Sequence, residues 1–204
     1  LEKLKNFSNI TYTLGEHKLS DFENRDMILV AAGVPADSIY LAHARKNGIP
    51  LSMSGVLFQK YSGIPIVGVT GTRGKSTVTH MIYHVLCEST EALSDGAGII
   101  LGGNVRGVSN LQLLNDVREE SIGVFEFDSW QLQGFGYEKI SPQIAVFTSF
   151  MPDHMNYYHN DVATYFEDKA QIFFHQNSGD ALVTTPAVFE LIKAYALQKG
   201  LTLR

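Results

Sequence analysis

The ten residues "GVTGTRGKST" at positions 68–77 decide the fold, because they join a strand-like run to a helix-like pattern. They are similar to the phosphate loop G-x-x-x-x-G-K-[ST], although Val69 stands where that pattern has its first glycine. The apolar run "PIVGV" before the loop predicts a buried strand. Behind Lys75, apolar residues recur with the spacing of one helix face: Val78, Met81, Ile82, Val85 and Leu86. The segment therefore predicts a strand, a glycine-containing loop and a helix in succession.

The predicted loop has the features of a phosphate site. Free N–H groups at a helix N-terminus, together with the helix dipole, favour a bound anion. Gly71 and Gly74 permit backbone angles that turn successive N–H groups inward. The ammonium of Lys75 can reach a terminal phosphate, and the hydroxyl of Ser76 can bind Mg²⁺. The alternative is a tight turn with an incidental lysine, and both flanks argue against it.

The rest of the chain alternates strand-like runs with helical patterns, which is typical of βαβ units and a parallel sheet. We therefore predict an α/β fold: a partial Rossmann-like N-terminal domain, then a P-loop-type, mostly parallel sheet flanked by helices. Strands are predicted at 9–15, 27–33, 49–55, 65–71, near 97–101, and at 121–127, 143–150 and 181–185. Helices are predicted at 37–48, from Ser76, from Asp161, and from Pro186 to Gly200 behind a Thr185 cap.

The turn-rich segment "YSGIP" at 61–65 is the predicted domain boundary. Residues 1–63 are then the C-terminal part of a first domain, and residues 64–204 most of a second. The final residues "LTLR" at 201–204 look like the start of another strand. We expect that both ends have been cut from a longer protein, so that a C-terminal domain is absent.

The amino-acid composition and charge argue against several classes of protein. Of the 204 residues, 45% are hydrophobic and 18% charged, which suits a globular core and not a disordered chain. The formal net charge of −5 gives no global attraction for nucleic acid or anionic lipid. The apolar runs are too short to cross a bilayer, and the N-terminus lacks a signal-peptide core. With Cys87 as the single cysteine, we expect a soluble cytoplasmic protein without disulfides. We also expect it to be a monomer.

Candidate metal ligands follow two predicted strands. Glu126 lies at the tip of the strand "SIGVFEF", and Asp128 would share its face if the strand continued. The polar cluster after "QIAVF" offers Asp153, His154 and His159. Because ligands collect at the carboxyl ends of parallel strands, Glu126 and His154 are the preferred candidates. The alternatives are an exposed acid and a structural histidine.

Lys169 occupies a position where a hydrophobic residue is expected. In the helix predicted from Asp161, the apolar stripe contains Val162, Tyr165, Phe166, Ile172 and Phe173, and position 169 completes it. Burial disfavours the ammonium and lowers the pKa of the amine. A neutral amine reacts with carbon dioxide to give a carbamate, which is a metal-binding anion. The alternative is a lysine whose stem covers apolar surface while its ammonium reaches water.

Four motifs together resemble the Mur ligase family. They are "VGVTGTRGKSTVT", "LGGN" at 101–104, "FEFDSWQLQ" at 125–133, and "PDHMNYYH" followed by "YFEDKAQIF". The likeness runs in order over residues 65–175, with residues 20–63 more faintly like the end of a nucleotide-sugar-binding domain. The family's loop is G-x-x-G-T-x-G-K-[ST], which accounts for Val69.

The resemblance implies a set of site residues. The loop residues that would hold the ATP phosphates are Gly71, Thr72, Arg73, Gly74, Lys75, Ser76 and Thr77. Ser76 and Glu126 would bind one Mg²⁺, while His154 and a carbamylated Lys169 would bind a second, with the carbamate bridging the two ions. Lys75, His154 and Lys169 are thereby implied as catalytic. Asn104 and Gln131 match positions that face the substrate.

The resemblance also implies a reaction, in which ATP activates a carboxylate as an acyl phosphate that an amine then attacks. The implied substrates are UDP-N-acetylmuramoyl-L-alanine, D-glutamate and ATP, in peptidoglycan synthesis. Arg73 replaces an asparagine of the family pattern, Asp128 replaces a serine, and Pro152, Asn156 and Tyr157 are unusual. We expect Arg73 to lie near the ATP phosphates or to pair with Asp128.

Two other interpretations stay open. One is a related Mur-type ligase of the poly-γ-glutamate or folylpolyglutamate kind, since "RGKS" loops are not confined to cell-wall ligases. The other is a non-catalytic ATP-binding paralogue or fragment.

Overall fold

The structure, a computed structural model, describes residues 7–91, 98–105 and 107–200. These residues form two parallel sheets, one of two strands and one of five. The predicted strand at 201–204 lies outside the described residues. No helix in these ranges is long and apolar enough to cross a membrane.

The first sheet and its helices form what we call the N-terminal layer. Strand β1 (Ile28–Leu29) pairs in parallel with β2 (Leu51–Ser52), and helix α1 (Ile39–Lys46) connects them. Helix α2 (Ser54–Ser62) follows β2 and ends at Gly63, which adopts the left-handed conformation with φ of 68°. Glycine accepts this conformation without steric cost, so the chain can turn into the second sheet at this point.

The five-stranded main sheet has the order β4-β5-β3-β6-β7, and every neighbouring pair is parallel. The central strand β3 is buried at every residue, as expected for a strand covered on both faces. The strands are β3 (Ile66–Thr70), β4 (Ile99–Gly103), β5 (Ile122–Glu126), β6 (Ile144–Phe147) and β7 (Ala181–Thr184). The predicted α/β class with a parallel sheet is confirmed.

Four helices flank the main sheet: α3 (Lys75–Glu91), α4 (Ser129–Glu138), α5 (Val162–Phe174) and α6 (Pro186–Lys199). The strand order reverses direction after β3, since β4 lies on one side of it and β6 and β7 on the other. Because parallel crossovers are right-handed, α3 covers one face of the sheet and α4 and α5 cover the opposite face. Such a reversal point is where open α/β sheets bind ligands.

One hydrophobic cluster joins the N-terminal layer to the main sheet. It includes Val30 and Leu41 of the layer, Phe58 of α2, and Phe125 and Phe135 of the sheet side, all at most 5% exposed. A smaller cluster lies between β6, α5 and α6. The layer is therefore fastened to the main sheet by shared apolar burial.

Three strand predictions in the N-terminal region need correction. Residues 9–15 form no strand, because they have no β partner and almost all of them are exposed. Of the predicted strands at 27–33 and 49–55, only two residues each pair with a neighbour. The chain enters α2 at Ser54, so Gly55 lies within a helix, where a Cβ atom would meet the ring of Phe127 at 3.0 Å.

The predicted apolar face of α3 is also partly wrong. Thr79 is fully buried, whereas Met81 is 62% exposed and Val85 is 63% exposed. Helix α3 packs on β3, β4 and β5, and the side turned to them is rotated away from the predicted stripe. The spacing alone predicted a helix correctly but misjudged which of its residues face the sheet.

The predicted helix starts are confirmed at α5 and α6. The Asp161 carboxylate accepts from the Ala163 and Thr164 amides at 2.9 and 3.1 Å. The Thr185 hydroxyl accepts from the Val188 amide at 3.4 Å, and Pro186 is the first residue of α6. Helix α4 was not predicted.

Candidate functional site

The candidate residues gather at the carboxyl ends of β3, β5 and β6. Glu126, the last residue of β5, lies beside Val69 of β3 and Gly103 of β4 in the strand register. The loop after β3 leads directly into α3 at Lys75. This edge of the sheet therefore carries a helix N-terminus and a carboxylate side by side.

The loop between β3 and α3 depends on two glycines with positive φ. Gly71 has φ of 149° and Gly74 has φ of 84°. A Cβ atom at Gly71 would lie 2.1 Å from Thr148 Oγ1, so only glycine fits there. Arg73, Gly74, Ser76 and Thr77 are exposed at the start of α3. The first-turn amides of a helix are free donors, and this loop presents them to an anion.

Two hydroxyl residues after β6 brace the loop between β3 and α3, and neither was predicted from the sequence. Ser149 Oγ accepts from the Arg73 amide and donates to the Arg73 carbonyl, each at 2.9 Å. Thr148 Oγ1 donates to the same carbonyl at 2.6 Å. The Thr72 amide donates to the Ser149 carbonyl at 2.8 Å. Both residues lay within the strand predicted at 143–150, whereas the observed strand β6 ends at Phe147.

Thr72 ties the loop to α5. Its hydroxyl donates to the Met151 carbonyl at 3.0 Å and lies 3.2 Å from the hydroxyl of Tyr165. Thr72 is 6% exposed, so its side chain supports the loop from beneath. Lys75 Nζ lies 3.5 Å from the Thr72 carbonyl, on the loop itself. The predicted phosphate-binding lysine is thus placed over the loop.

Arg73 is an exposed residue of the loop between β3 and α3. Its guanidinium forms no ion pair or side-chain hydrogen bond with any residue that the structure describes. The predicted pairing with Asp128 is therefore wrong. Its backbone is held firmly by Thr148 and Ser149, whereas its side chain stays available to a ligand on the loop.

Glu126 is a nearly buried carboxylate, 5% exposed. The Asn104 side-chain amide lies 3.4 Å from Glu126 Oε1, and the Asn104 backbone amide donates to the Glu126 carbonyl at 2.7 Å. The structure therefore places Asn104, predicted to face substrate, directly against the candidate metal ligand.

Asp128 does not continue strand β5. It is the N-cap of α4, accepting from the Gln131 amide at 2.7 Å, while its own amide donates to Gln131 Oε1 at 3.2 Å. The prediction of a shared strand face with Glu126 is wrong, because the chain turns into a helix after Phe127. Burial raises the pKa of the Asp128 carboxyl, opposed by the Gln131 bond and by Lys169 and Lys75.

Gln131 lines a small cavity of about 190 Å³ together with residues that follow β1 and β2. Its other lining residues are Leu29, Val30, Ala31, Ala32, Met53, Ser54 and Gly55. The cavity lies at the carboxyl ends of the N-terminal layer's strands, where α/β proteins bind ligands. Gln131, predicted to face substrate, is placed where both sheets meet.

Lys169 is buried in α5 with 2% of its surface exposed. Its Nζ donates to the Gly71 carbonyl at 3.0 Å and lies 5.0 Å from the centre of the Tyr165 ring. Burial, and then the neighbouring charge of Lys75, lower the pKa of the Lys169 amine to about 7. The prediction of a buried lysine on an apolar stripe is confirmed, and the alternative with an ammonium in water is wrong.

His154 lies in an aromatic group beside this lysine. Its ring centre is 4.8 Å from that of Trp130 and 6.3 Å from that of Tyr165, which also contacts Lys169. His154 has φ of 55°, a left-handed conformation that histidine adopts more readily than most residues other than glycine. His159, by contrast, is 81% exposed and lies 3.7 Å from Asp37. The structure brings His154 to the site and leaves His159 outside it.

A second polar network, unpredicted from sequence, connects α4 and α5 to the N-terminal layer. Asp168 Oδ2 accepts from Gln133 Nε2 at 2.7 Å and from the Tyr158 hydroxyl at 2.9 Å. The Tyr157 hydroxyl lies 3.3 Å from Gln133 Nε2 and donates to the Val34 carbonyl at 3.3 Å. Burial raises the pKa of the Asp168 carboxyl to about 6.

The residues fit a nucleotide better than a preformed metal cage. Within residues 7–91, 98–105 and 107–200, no three His, Cys, Asp or Glu side chains lie together as a metal site. Glu126 and Ser76 nevertheless offer oxygen atoms next to the loop, and Mg²⁺ commonly takes one or two protein ligands with phosphate oxygens supplying others. The donor set therefore suits a metal that arrives with a nucleotide.

The parallel sheet, its reversal at β3, and the lysine-bearing glycine loop at the start of α3 define an α/β protein of the P-loop type. Residues 69–197 match the family model described as the Mur ligase middle domain, and this match covers more than half of the chain. The chain belongs to the Mur ligase family.

Similar proteins agree with this assignment. A protein of Borreliella burgdorferi (strain ZS7) named UDP-N-acetylmuramoylalanine--D-glutamate ligase is 36% identical over 188 residues, 92% of this chain. Proteins of the same name from Roseiflexus sp. (strain RS-1) and Treponema pallidum (strain Nichols) are 35% and 33% identical, over 92% and 90% of this chain. The chain spans 39%, 38% and 35% of the lengths of these three relatives.

Proposed function

We propose that this chain carries the nucleotide-binding part of an ATP-dependent ligase that adds D-glutamate to UDP-N-acetylmuramoyl-L-alanine, in the cytoplasm, during peptidoglycan synthesis. Family membership supports a Mur-type ligase, and the shared name of the similar proteins supports this pair of substrates. The observation that carries the proposal is the Gly71–Gly74 loop at the start of α3, with Lys75 above it and buried Lys169 bonded beneath it.

In this proposal the loop binds the ATP phosphates. The backbone amides of residues 74–77 donate to the β- and γ-phosphate oxygens, and the Lys75 ammonium neutralises charge on the γ-phosphate. Arg73 adds a second cation. The side chains of Ser76, Glu126 and His154 would hold Mg²⁺. When bound, this ion would neutralise the negative charge between the nucleotide and the acceptor.

The proposed reaction consists of two displacements. A carboxylate oxygen of UDP-N-acetylmuramoyl-L-alanine attacks the γ-phosphorus, the bond to the bridging oxygen breaks, and ADP leaves. The amine of D-glutamate then attacks the acyl carbon, inorganic phosphate leaves, and the amine loses a proton. The chain contributes by orienting the reactants and stabilising negative charge, with no protein nucleophile required. Asn104 and Gln131, beside Glu126 and the cavity, would face the acceptor.

We further propose that Lys169 is carbamylated when the site is assembled. A pKa of about 7 leaves much of the buried amine neutral near physiological pH. The neutral amine attacks carbon dioxide, a C–N bond forms, and one proton is released. In the unmodified form the amine instead donates to the Gly71 carbonyl at 3.0 Å. If the carbamate forms, Lys169→Ala activity is partly restored by small carboxylates, and an unmodified lysine in a high-resolution map without such rescue contradicts it.

The experiment that tests the main proposal measures phosphate release from ATP by the protein at its natural length, with and without the two acceptors. Lys75→Ala should abolish acceptor-dependent release, whereas Lys193→Ala, an exposed lysine of α6, should not change it. Retained activity in Lys75→Ala contradicts the assignment of the loop. Turnover with a glutamyl acceptor but not with UDP-N-acetylmuramoyl-L-alanine would favour the poly-γ-glutamate or folylpolyglutamate kind.

A further inference from the structure

Asn110 is a buried amide that belongs to none of the motifs discussed above. It is 5% exposed, and both ends of its side chain are used. Oδ1 accepts from the Gly103 backbone amide at 2.8 Å, and Nδ2 donates to Ser54 Oγ at 3.3 Å. A buried amide with two long-range partners fixes their relative position, because leaving either partner unpaired is unfavourable.

The first partner, Gly103, belongs to the turn after β4. Gly103 has φ of 87°, and a Cβ atom there would lie 1.9 Å from the Glu126 carbonyl oxygen. The turn is thus pressed against the backbone of β5. The next residue, Asn104, donates from its backbone to the Glu126 carbonyl and from its side chain toward Glu126 Oε1, at 2.7 and 3.4 Å. The position of Gly103 therefore determines where Asn104 meets the Glu126 carboxylate.

The second partner, Ser54, is the first residue of α2 in the N-terminal layer. Ser54 also lines the cavity of about 190 Å³ that Gln131 borders. Asn110 consequently connects the start of α2 to the turn that carries Asn104. One side chain sets the distance between the cavity wall and the carboxylate.

We propose that Asn110 is a positioning residue, which holds the Gly103–Asn104 turn so that Asn104 orients the Glu126 carboxylate for a divalent cation. This inference rests on the proposed function, in which Glu126 is a metal ligand. Residues that orient a metal ligand typically change metal affinity or activity by about 10-fold to 100-fold when they are replaced. When Asn110 is replaced by alanine, the Gly103 amide loses its acceptor. The turn then shifts to pair this amide elsewhere, and Asn104 moves away from Glu126.

The test compares four variants of the protein at its natural length. Asn110→Ala removes both bonds, and Asn110→Asp keeps an acceptor for the Gly103 amide. Ser54→Ala removes only the outer bond. Gln59→Ala is the matched control, because Gln59 also ties α2 to the main-sheet side, donating to the Ser141 carbonyl at 2.7 Å, far along the chain from Glu126. Thermal unfolding of each variant establishes a temperature at which all of them are folded.

The first readout is Mn²⁺ binding in the presence of a non-hydrolysable ATP analogue, measured by electron paramagnetic resonance. The second readout is the Mg²⁺ concentration that gives half-maximal phosphate release. We expect Asn110→Ala to need about 10-fold more metal in both measurements, with its rate recovering at high Mg²⁺. Asn110→Asp should stay near the unaltered protein, and Ser54→Ala should shift less than Asn110→Ala in the same direction.

The inference is overturned if folded Asn110→Ala binds Mn²⁺ like the unaltered protein, or if Gln59→Ala loses as much affinity. Should Asn110→Ala fail to fold, an unchanged metal requirement in Ser54→Ala overturns it. Failure of the proposed function looks different: the unaltered protein would bind Mn²⁺ with the nucleotide yet release no phosphate with the two acceptors. The Mn²⁺ measurement then still decides the role of Asn110.

Discussion

The amine of Lys169 donates a hydrogen bond to the carbonyl oxygen of Gly71 at 3.0 Å, so a buried side chain supports the glycine at which the loop between β3 and α3 turns. Lys169 lies in α5 and Gly71 follows β3, and 98 positions separate them in the chain. The loop and the residue proposed for carbamylation are therefore in direct contact, and a chemical change at one alters the support of the other.

Burial of Lys169 should make stability depend on pH. The pKa of the amine falls from its ordinary 10.5 to about 7 in the folded chain. Between these values the unfolded chain binds the additional proton, so the free energy of unfolding rises with pH, by at most about 1.4 kcal/mol per pH unit. In urea unfolding from pH 7 to 10, the difference between the unaltered protein and Lys169→Met should rise accordingly. A flat difference contradicts a neutral buried amine, and Lys193→Met on the exposed side of α6 is the control.

Gly71 should not tolerate alanine. Its φ of 149° and the 2.1 Å approach of Thr148 Oγ1 both exclude a side chain. We expect Gly71→Ala to lose about 2 kcal/mol or more in unfolding free energy and to lose ATP binding. Gly179→Ala is the control, since Gly179 also has a positive φ, 99°, but has nothing within 4 Å. Equal losses in the two variants would show that backbone conformation alone, and not the contact with Thr148, decides the effect.

Ser149 should matter for nucleotide affinity more than for stability. Ser149→Ala loses two bonds to the Arg73 backbone, each at 2.9 Å. Without these bonds the loop would lose conformational entropy when ATP binds. We therefore expect about 10-fold weaker ATP binding by calorimetry. Ser89→Ala removes a comparable hydroxyl bond, to the Val85 carbonyl in α3, and should leave ATP binding unchanged. If both variants bind ATP like the unaltered protein, the loop does not need this brace.

Asp168 should give the opposite pH dependence in the acid range. Burial raises the pKa of its carboxyl from the ordinary 3.8 to about 6. Between these values the folded chain binds the additional proton, so the unfolding free energy falls as pH rises, by at most about 1.4 kcal/mol per pH unit. Against Asp168→Asn, which does not titrate, the unaltered protein should lose stability from pH 4 to 6 and then stay level. Glu190→Gln, on the exposed side of α6, should show no such trend.

The central strands and the loop were predictable because each is a local pattern. Strand β3 is a continuous apolar run, and the helix after Lys75 has the spacing of 3.6 residues per turn. Helix α4 was not predicted, and it contains two glycines, Gly134 and Gly136. In the structure these glycines serve packing, since a Cβ atom at Gly134 would meet Met53 at 2.8 Å and one at Gly136 would meet Gln171 at 3.0 Å.

Residues of the candidate site were predictable where they follow or interrupt an apolar pattern in the sequence. Glu126 and His154 follow apolar runs, and Lys169 interrupts an apolar stripe, so each departs from its surroundings in a way that sequence shows. Ser149 and Asn110 do not, because a single hydroxyl or amide in a loop has no periodicity. Their partners lie 76 and 56 positions away, at Arg73 and Ser54, and only the fold brings them together.

The rotation of α3 has a consequence for anyone who purifies this chain. Met81 and Val85 lie on neighbouring turns of α3 and are each more than 60% exposed, so the helix presents an apolar stripe to water. We expect the folded recombinant chain to bind hydrophobic resin and to raise the fluorescence of a dye that binds exposed apolar surface. Changing both residues to glutamate should raise its yield and its working concentration, but it also places acids beside Ser76 and Thr77, which line the same surface hollow.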